Sequence, residues 1–105
     1  MSSMAGKVVL ITGAGSGLGQ SHAALLSEYG ADIIVQDING DGAAKTAEMV
    51  TANGKKAHIM IGDVRDTKGF ASLAEVAINE LGPVDVLVNN AGISSRGRLF
   101  EAIDE

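Results

Sequence analysis

The 105-residue chain has no cysteine, no tryptophan, one proline and only three aromatic residues, Tyr29, Phe70 and Phe100. Without cysteine, disulfides and thiolate chemistry are excluded. With so few aromatics the core must be aliphatic, built from Val, Ile, Leu, Met and Ala. Positive charge is also scarce: 8 Lys and Arg stand against 13 Asp and Glu, a net charge of −5 with no basic cluster. That balance argues against nucleic acid as a partner. No apolar run reaches the roughly 18–20 residues of a membrane span. The opening "MSSMAGK" lacks a basic segment followed by an apolar one, so no secretory signal is read and a cytoplasmic location is expected. What is present is ordinary globular composition, 46% apolar and 20% charged. The length allows one domain at most, or part of one.

Short apolar runs alternate with helical spacing along the chain. "KVVLIT" (7–12) reads as a strand buried on both faces. A helix follows, with Leu18, Leu25, Leu26 and Tyr29 as its apolar stripe and Gly30 closing it. "DIIVQD" (32–37) is a second buried-type strand. Residues 40–53 carry Ala43, Ala47 and Val50 at helical spacing and end on Gly54. "AHIMIGDV" (57–64) is a third strand. Asp66 or Thr67 can cap a third helix with the stripe Phe70, Leu73, Ala77 and Leu81, stopped by Gly82-Pro83. "VDVLVNNAG" (84–92) is a fourth strand running into a turn, and Leu99 to Ile103 hint at one further helix. The order β-α-β-α-β-α-β with short loops predicts an α/β fold: a parallel sheet with right-handed crossovers.

The most informative stretch is "LITGAGSGLG" (10–19), a glycine cluster between a buried strand and a helix. Unpaired N–H groups and the dipole at a helix start favour an anion, and glycine lets a pyrophosphate approach the backbone. The plain alternative is a tight turn with no ligand. A nucleoside-triphosphate loop is dropped, because Gln20 rather than Lys follows Gly19. Gly13, Gly15 and Gly17 satisfy the G-x-G-x-G of a methyl-transfer fold, yet Ile11 and Thr12 stand where an acidic residue is normal. That S-adenosylmethionine reading is the runner-up. G-x-G-x-x-G fails from Gly13, since Leu18 takes the third glycine's place. T-G-x-x-x-G-x-G fits, on Thr12, Gly13, Gly17 and Gly19.

That form, with "NNAG" (89–92) after the fourth strand, resembles the short-chain dehydrogenase/reductase family. The resemblance implies a Rossmann-type fold with helices on both faces and strand order 3-2-1-4. It covers only the amino-terminal, cofactor-binding half of the family domain. The fourth strand, central in the full domain, is then an exposed edge that invites self-association.

The resemblance also implies a dinucleotide site. Gly13, Gly17, the Leu18 N–H and Gly19 would border the pyrophosphate, with the Ser16 hydroxyl able to donate to a phosphate. Asp37 ends the second strand 18 residues after Gly19. A carboxylate there accepts from both hydroxyls of an adenosine ribose. It also repels a 2′-phosphate, by about 1–4 kcal/mol at ~4 Å for effective dielectrics of 80 to 20. Ile38 and Asn39 follow it rather than a basic residue, so NAD(H) is expected over NADP(H), with Ile38 in the same site. Family likeness assigns Asp63 and Val64 to the adenine and the backbone of Asn90 and Ala91 to the cofactor riboses, with Gly92 allowing close approach. It assigns Asn89 to bracing the sheet. A strand-end or turn-capping role is the alternative for Asp37 and Asp63.

Other residues carry less. His22 reads as a core or interface histidine, His58 has no partners at metal spacing, and Arg96 and Arg98 read as solvent-facing. The family's hydride transfer uses a Tyr-x-x-x-Lys pair and a serine beyond the fourth strand. The only tyrosine here is Tyr29, with no lysine four residues on. The chain by itself is therefore expected to be inactive. It reads as the cofactor-binding part of a longer dehydrogenase acting on an alcohol or carbonyl. The alternative is a stand-alone nucleotide-binding module.

Overall fold

β-branched and aliphatic runs pair into a sheet because they can be covered on both faces at once. Val8–Thr12 (β1) is buried throughout, and Asp32–Asp37 (β2) is buried at its four central positions. Their Val9, Ile11, Ile33, Ile34 and Val35 are fully enclosed, each side chain worth roughly 1.5–3 kcal/mol of burial. The structure, a computed structural model, describes residues 3–90. Ala57–Ile61 (β3) and Val86–Asn89 (β4) complete a four-stranded parallel sheet in the order β3-β2-β1-β4. Three helices connect the strands: Gly17–Glu28 (α1), Gly40–Ala52 (α2) and Thr67–Leu81 (α3).

Alternate strand residues supply two cores. Val9, Ile11, Ile33 and Val35 pack with Ala23 of α1 and Ala43 and Val50 of α2. On the other face Val8, Leu10, Ile34 and Met60 pack with Ala77 of α3, flanked by Phe70, Leu73 and Leu81. The Rossmann-type arrangement and strand order thus match expectation, and so does the third helical stripe.

Three details differ. The third strand ends at Ile61 rather than at residue 64. Its ladder with β2 ends at the Asp37–Ile61 pair, and Asp63 then folds back to accept the Arg65 N–H. The fourth strand is paired only over 86–89. Before it, Asp85 exchanges hydrogen bonds with Val8; after it, the Asn90 N–H turns aside to the Thr12 hydroxyl at 3.0 Å. The expected stripe of α1 is the third difference. Leu18, Leu25 and Tyr29 are exposed, Leu26 is half-buried, and the enclosed face is Gly19, Ala23 and Ser27. Close approach explains it, since a Cβ at Gly19 would collide with the Gly13 carbonyl oxygen. Only a face of small residues can lie that near β1.

Candidate functional site

The chain leaves β1 toward α1 and α2 on one face, whereas α3 and then β4 come from the other. The strand order switches direction between β1 and β4, and in open α/β sheets such a switch point sets the ligand crevice at the carboxyl ends of the strands. The β1–α1 loop borders this crevice, and its two halves behave differently.

The first half is locked to the protein. The Gly13 N–H donates to Gln36 Oε1 at 3.1 Å, and the Ala14 N–H to the Gln36 carbonyl at 2.8 Å. The Thr46 hydroxyl donates to the Ala14 carbonyl at 2.7 Å, while Gln20 Nε2 donates to Thr46 Oγ1 at 2.9 Å. The Gly15 N–H donates to Asp37 Oδ2 at 2.7 Å, and a Cβ on Gly15 would stand 2.8 Å from that oxygen.

The second half is open. Ser16 is the N-cap of α1 in extended conformation, but its side chain makes no capping hydrogen bond and the first turn holds no acidic residue. Gly17 has φ +53 with nothing within 4 Å of where a Cβ would be, so the chain turns into the helix without obstructing its end. The other two helix starts are closed. Asn39 accepts from the Asp41 and Gly42 N–H groups, and Asp66 accepts from the Gly69 N–H. Of the three described helices, α1 alone presents its first-turn donors and dipole to a guest. An anion there gains about 0.3–2 kcal/mol. A dinucleotide's pyrophosphate fits this cradle in charge and in access.

Asp37 stands beside it, half-buried. Its Oδ2 holds Gly15 and its Oδ1 accepts from the Asn39 N–H at 2.9 Å, leaving further acceptor capacity on both oxygens. Ile38 next to it is 67% exposed, a large apolar side chain left uncovered just past the end of β2. Asp63 and half-buried Val64 lie in the turn after β3. Arg65 grips the Asp63 carboxylate with Nε at 3.0 and 3.2 Å and a terminal nitrogen at 2.7 Å. Those guanidinium bonds, then the Arg65 backbone N–H, lower the Asp63 pKa from 3.8 to about 2. A new donor reaching Asp63 would have to share it with Arg65.

At the β4 side, the Thr12 hydroxyl donates to Asn89 Oδ1 at 2.8 Å, so Asn89 braces β4 against β1. Asn90 Nδ2 lies 3.4 Å from His22 Nδ1, which puts the half-buried histidine at the border of the crevice. Ala91 and Gly92 lie outside the described residues. Gly13, Ser16, Gly17, Leu18 and Gly19 thus gather at one loop, with Asp37 and Ile38 at its side and Asn90 across β1.

The sequence pattern marks neither Gln36 nor Thr46 as part of the site, and Gly15 enters it only through the methyl-transfer spacing, not as the residue Asp37 holds. A glutamine inside an apolar strand was the available signal for the first; nothing in the sequence marks Thr46 as reaching 32 residues back to Ala14.

A family model described as short chain dehydrogenase matches residues 7–105. The chain belongs to the short-chain dehydrogenase family. Among its relatives, 2-dehydro-3-deoxy-D-gluconate 5-dehydrogenase of Dickeya dadantii is 46% identical over 96 residues, covering 91% of this chain and 37% of the relative. An uncharacterized oxidoreductase of Thermotoga maritima is 39% identical over 100 residues, covering 95% and 39%. The crystal structure of carveol dehydrogenase from Mycobacterium avium in complex with NAD superposes with a TM-score of 0.83. It is 35% identical and covers 88% of this chain and 38% of that one. This short-chain dehydrogenase sequence therefore spans about two-fifths of the length of the curated relatives it matches. No described helix is long and apolar enough to cross a membrane.

Proposed function

We propose that the chain holds NAD(H) for a short-chain dehydrogenase that moves hydride between the nicotinamide and an alcohol or carbonyl substrate. The observation that carries this reading is the open start of α1, uncapped while Asn39 and Asp66 close the other two helices. Ser16 and the N–H groups of Gly17, Leu18 and Gly19 receive the pyrophosphate, and Gly13 sets the turn. Asp37 accepts from the adenosine ribose with Ile38 against the adenosine, and its charge disfavours a 2′-phosphate. Asp63 and Val64 face the adenine. The Arg65 side chain is exposed, so on this reading it shares the Asp63 carboxylate with the adenine's exocyclic amine rather than blocking it. Family likeness assigns the backbone of Asn90 and Ala91 to the riboses and close approach to Gly92.

When bound, the cofactor would donate hydride to a carbonyl or accept it from an alcohol; this chain's residues bind and orient it. The acid–base tyrosine is not Tyr29, which caps the far end of α1, about 18 Å from Gly17 for 12 helical residues. The chain alone is thus expected to bind without turnover, and to self-associate through β4, in a cytoplasmic setting. A calorimetric or NADH-fluorescence titration tests the reading, with no tryptophan emission to interfere. Saturable NADH binding, tighter than NADPH, is expected. Absence of binding to both, or a preference for S-adenosylmethionine, would overturn it.

A further inference from the structure

Gln36 is the one polar side chain among the enclosed residues of β2, 2% exposed where Ile33, Ile34 and Val35 are fully apolar and buried. Burying an amide is unfavourable unless both of its ends are bonded. Here both are, and to different loops. Its Oε1 accepts from the Gly13 N–H at 3.1 Å in the β1–α1 loop. Its Nε2 donates to the Gly62 carbonyl at 2.6 Å in the β3–α3 loop. Its own backbone carbonyl takes the Ala14 N–H at 2.8 Å.

The amide can point only one way. Gly13 offers a donor and Gly62 an acceptor, so a flipped amide would set donor against donor and oxygen against oxygen. A carboxylate of the same length would satisfy Gly13 and repel Gly62. An apolar side chain would satisfy neither.

We propose that Gln36 is a positioning residue for the dinucleotide. It fixes the separation of the two loops that, on the reading above, take the pyrophosphate and the adenine. The side chain touches no cofactor atom itself. It acts through Gly13, the turn from which the open start of α1 is aimed, and through Gly62, next to Asp63.

The test uses the 105-residue chain and ADP-ribose, which carries the adenine and pyrophosphate but no nicotinamide. Gln36→Met should bind it about tenfold more weakly than the parent, the scale of a lost buried hydrogen-bond pair. In the ligand-free protein the Gly13 amide should lose its protection from hydrogen exchange. Val50→Ala, a core change in α2, should lower the melting temperature and leave the affinity unchanged. Gln36→Glu should bind weakly at pH 8 and recover to within about threefold of the parent at pH 5, where a protonated carboxyl donates to Gly62 again. A merely structural role would show affinity following melting temperature in all three variants.

Parent-like affinity in Gln36→Met overturns the proposal while leaving the dinucleotide reading intact. So does a Gln36→Glu deficit that is the same at both pH values. Should Gln36→Met fail to fold, the pH comparison in Gln36→Glu decides. A parent chain that binds neither ADP-ribose nor NADH overturns both.

Discussion

A single methyl group at Gly19 would drive into the Gly13 carbonyl oxygen and the Ala14 backbone, atoms that cannot move without shifting β1 or α1. Gly19→Ala should therefore cost about 1–3 kcal/mol, read as a lowered denaturation midpoint. Asp37 carries two burdens, since it holds the Gly15 and Asn39 N–H groups and stands where a ribose would bind. Asp37→Ala should lower stability and NADH affinity together and narrow the preference over NADPH. Unchanged selectivity between the two cofactors would remove Asp37 from the site. Asp63 gives a pH prediction. Its pKa lies at about 2 in the folded chain against 3.8 ordinarily. A lowered carboxyl pKa adds stability that is complete above about pH 4 and lost as pH falls toward 2. Arg65→Ala should return Asp63 toward 3.8, seen in a carboxyl NMR titration.

The three helix starts make a contrast that can be measured at the level of elements. Asn39→Ala and Asp66→Ala remove side-chain caps from α2 and α3 and should each cost about 0.5–2 kcal/mol. Ser16→Ala removes a hydroxyl that caps nothing in the free protein, so its stability should stay within about 0.5 kcal/mol of the parent. Its NADH affinity should fall. An equal stability loss in all three variants, by thermal melting, would mean that the start of α1 is no more open than the others.

The sheet as a whole is unevenly covered. β1 and β2 are enclosed, while β4 carries Leu87 at 55% exposure and has no strand on its outer side among the described residues. Leu18, Leu25 and Val76 add further exposed apolar side chains on α1 and α3. Parallel strands are normally covered on both faces, and an open strand edge pairs with whatever strand it meets. The 105-residue chain should therefore self-associate in light scattering at micromolar concentration, and Leu87→Lys should reduce this. A stable monomer in the parent would count against the β4 edge as the contact.

Periodicity and composition determined the order of elements, because a strand buried on both faces needs an unbroken apolar run and α3 needs one apolar stripe. Glycine spacing determined where a pyrophosphate would approach, because only backbone free of Cβ atoms allows it. Helix α1 defeated the same method. Its leucines suggest an inward stripe, but the approach of Gly19 to Gly13 turns the small residues inward and leaves Leu18 and Leu25 outside. The ends of β3 and β4 were likewise decided by competing hydrogen bonds from Asp63 and Thr12, which no run of apolar residues reports. The division of the glycine loop also belongs to the tertiary structure alone. Gln36, Asp37 and Thr46 lie 22 to 32 residues from the loop atoms they hold. Only the folded sheet brings them close enough to close one half of the loop and leave the start of α1 free.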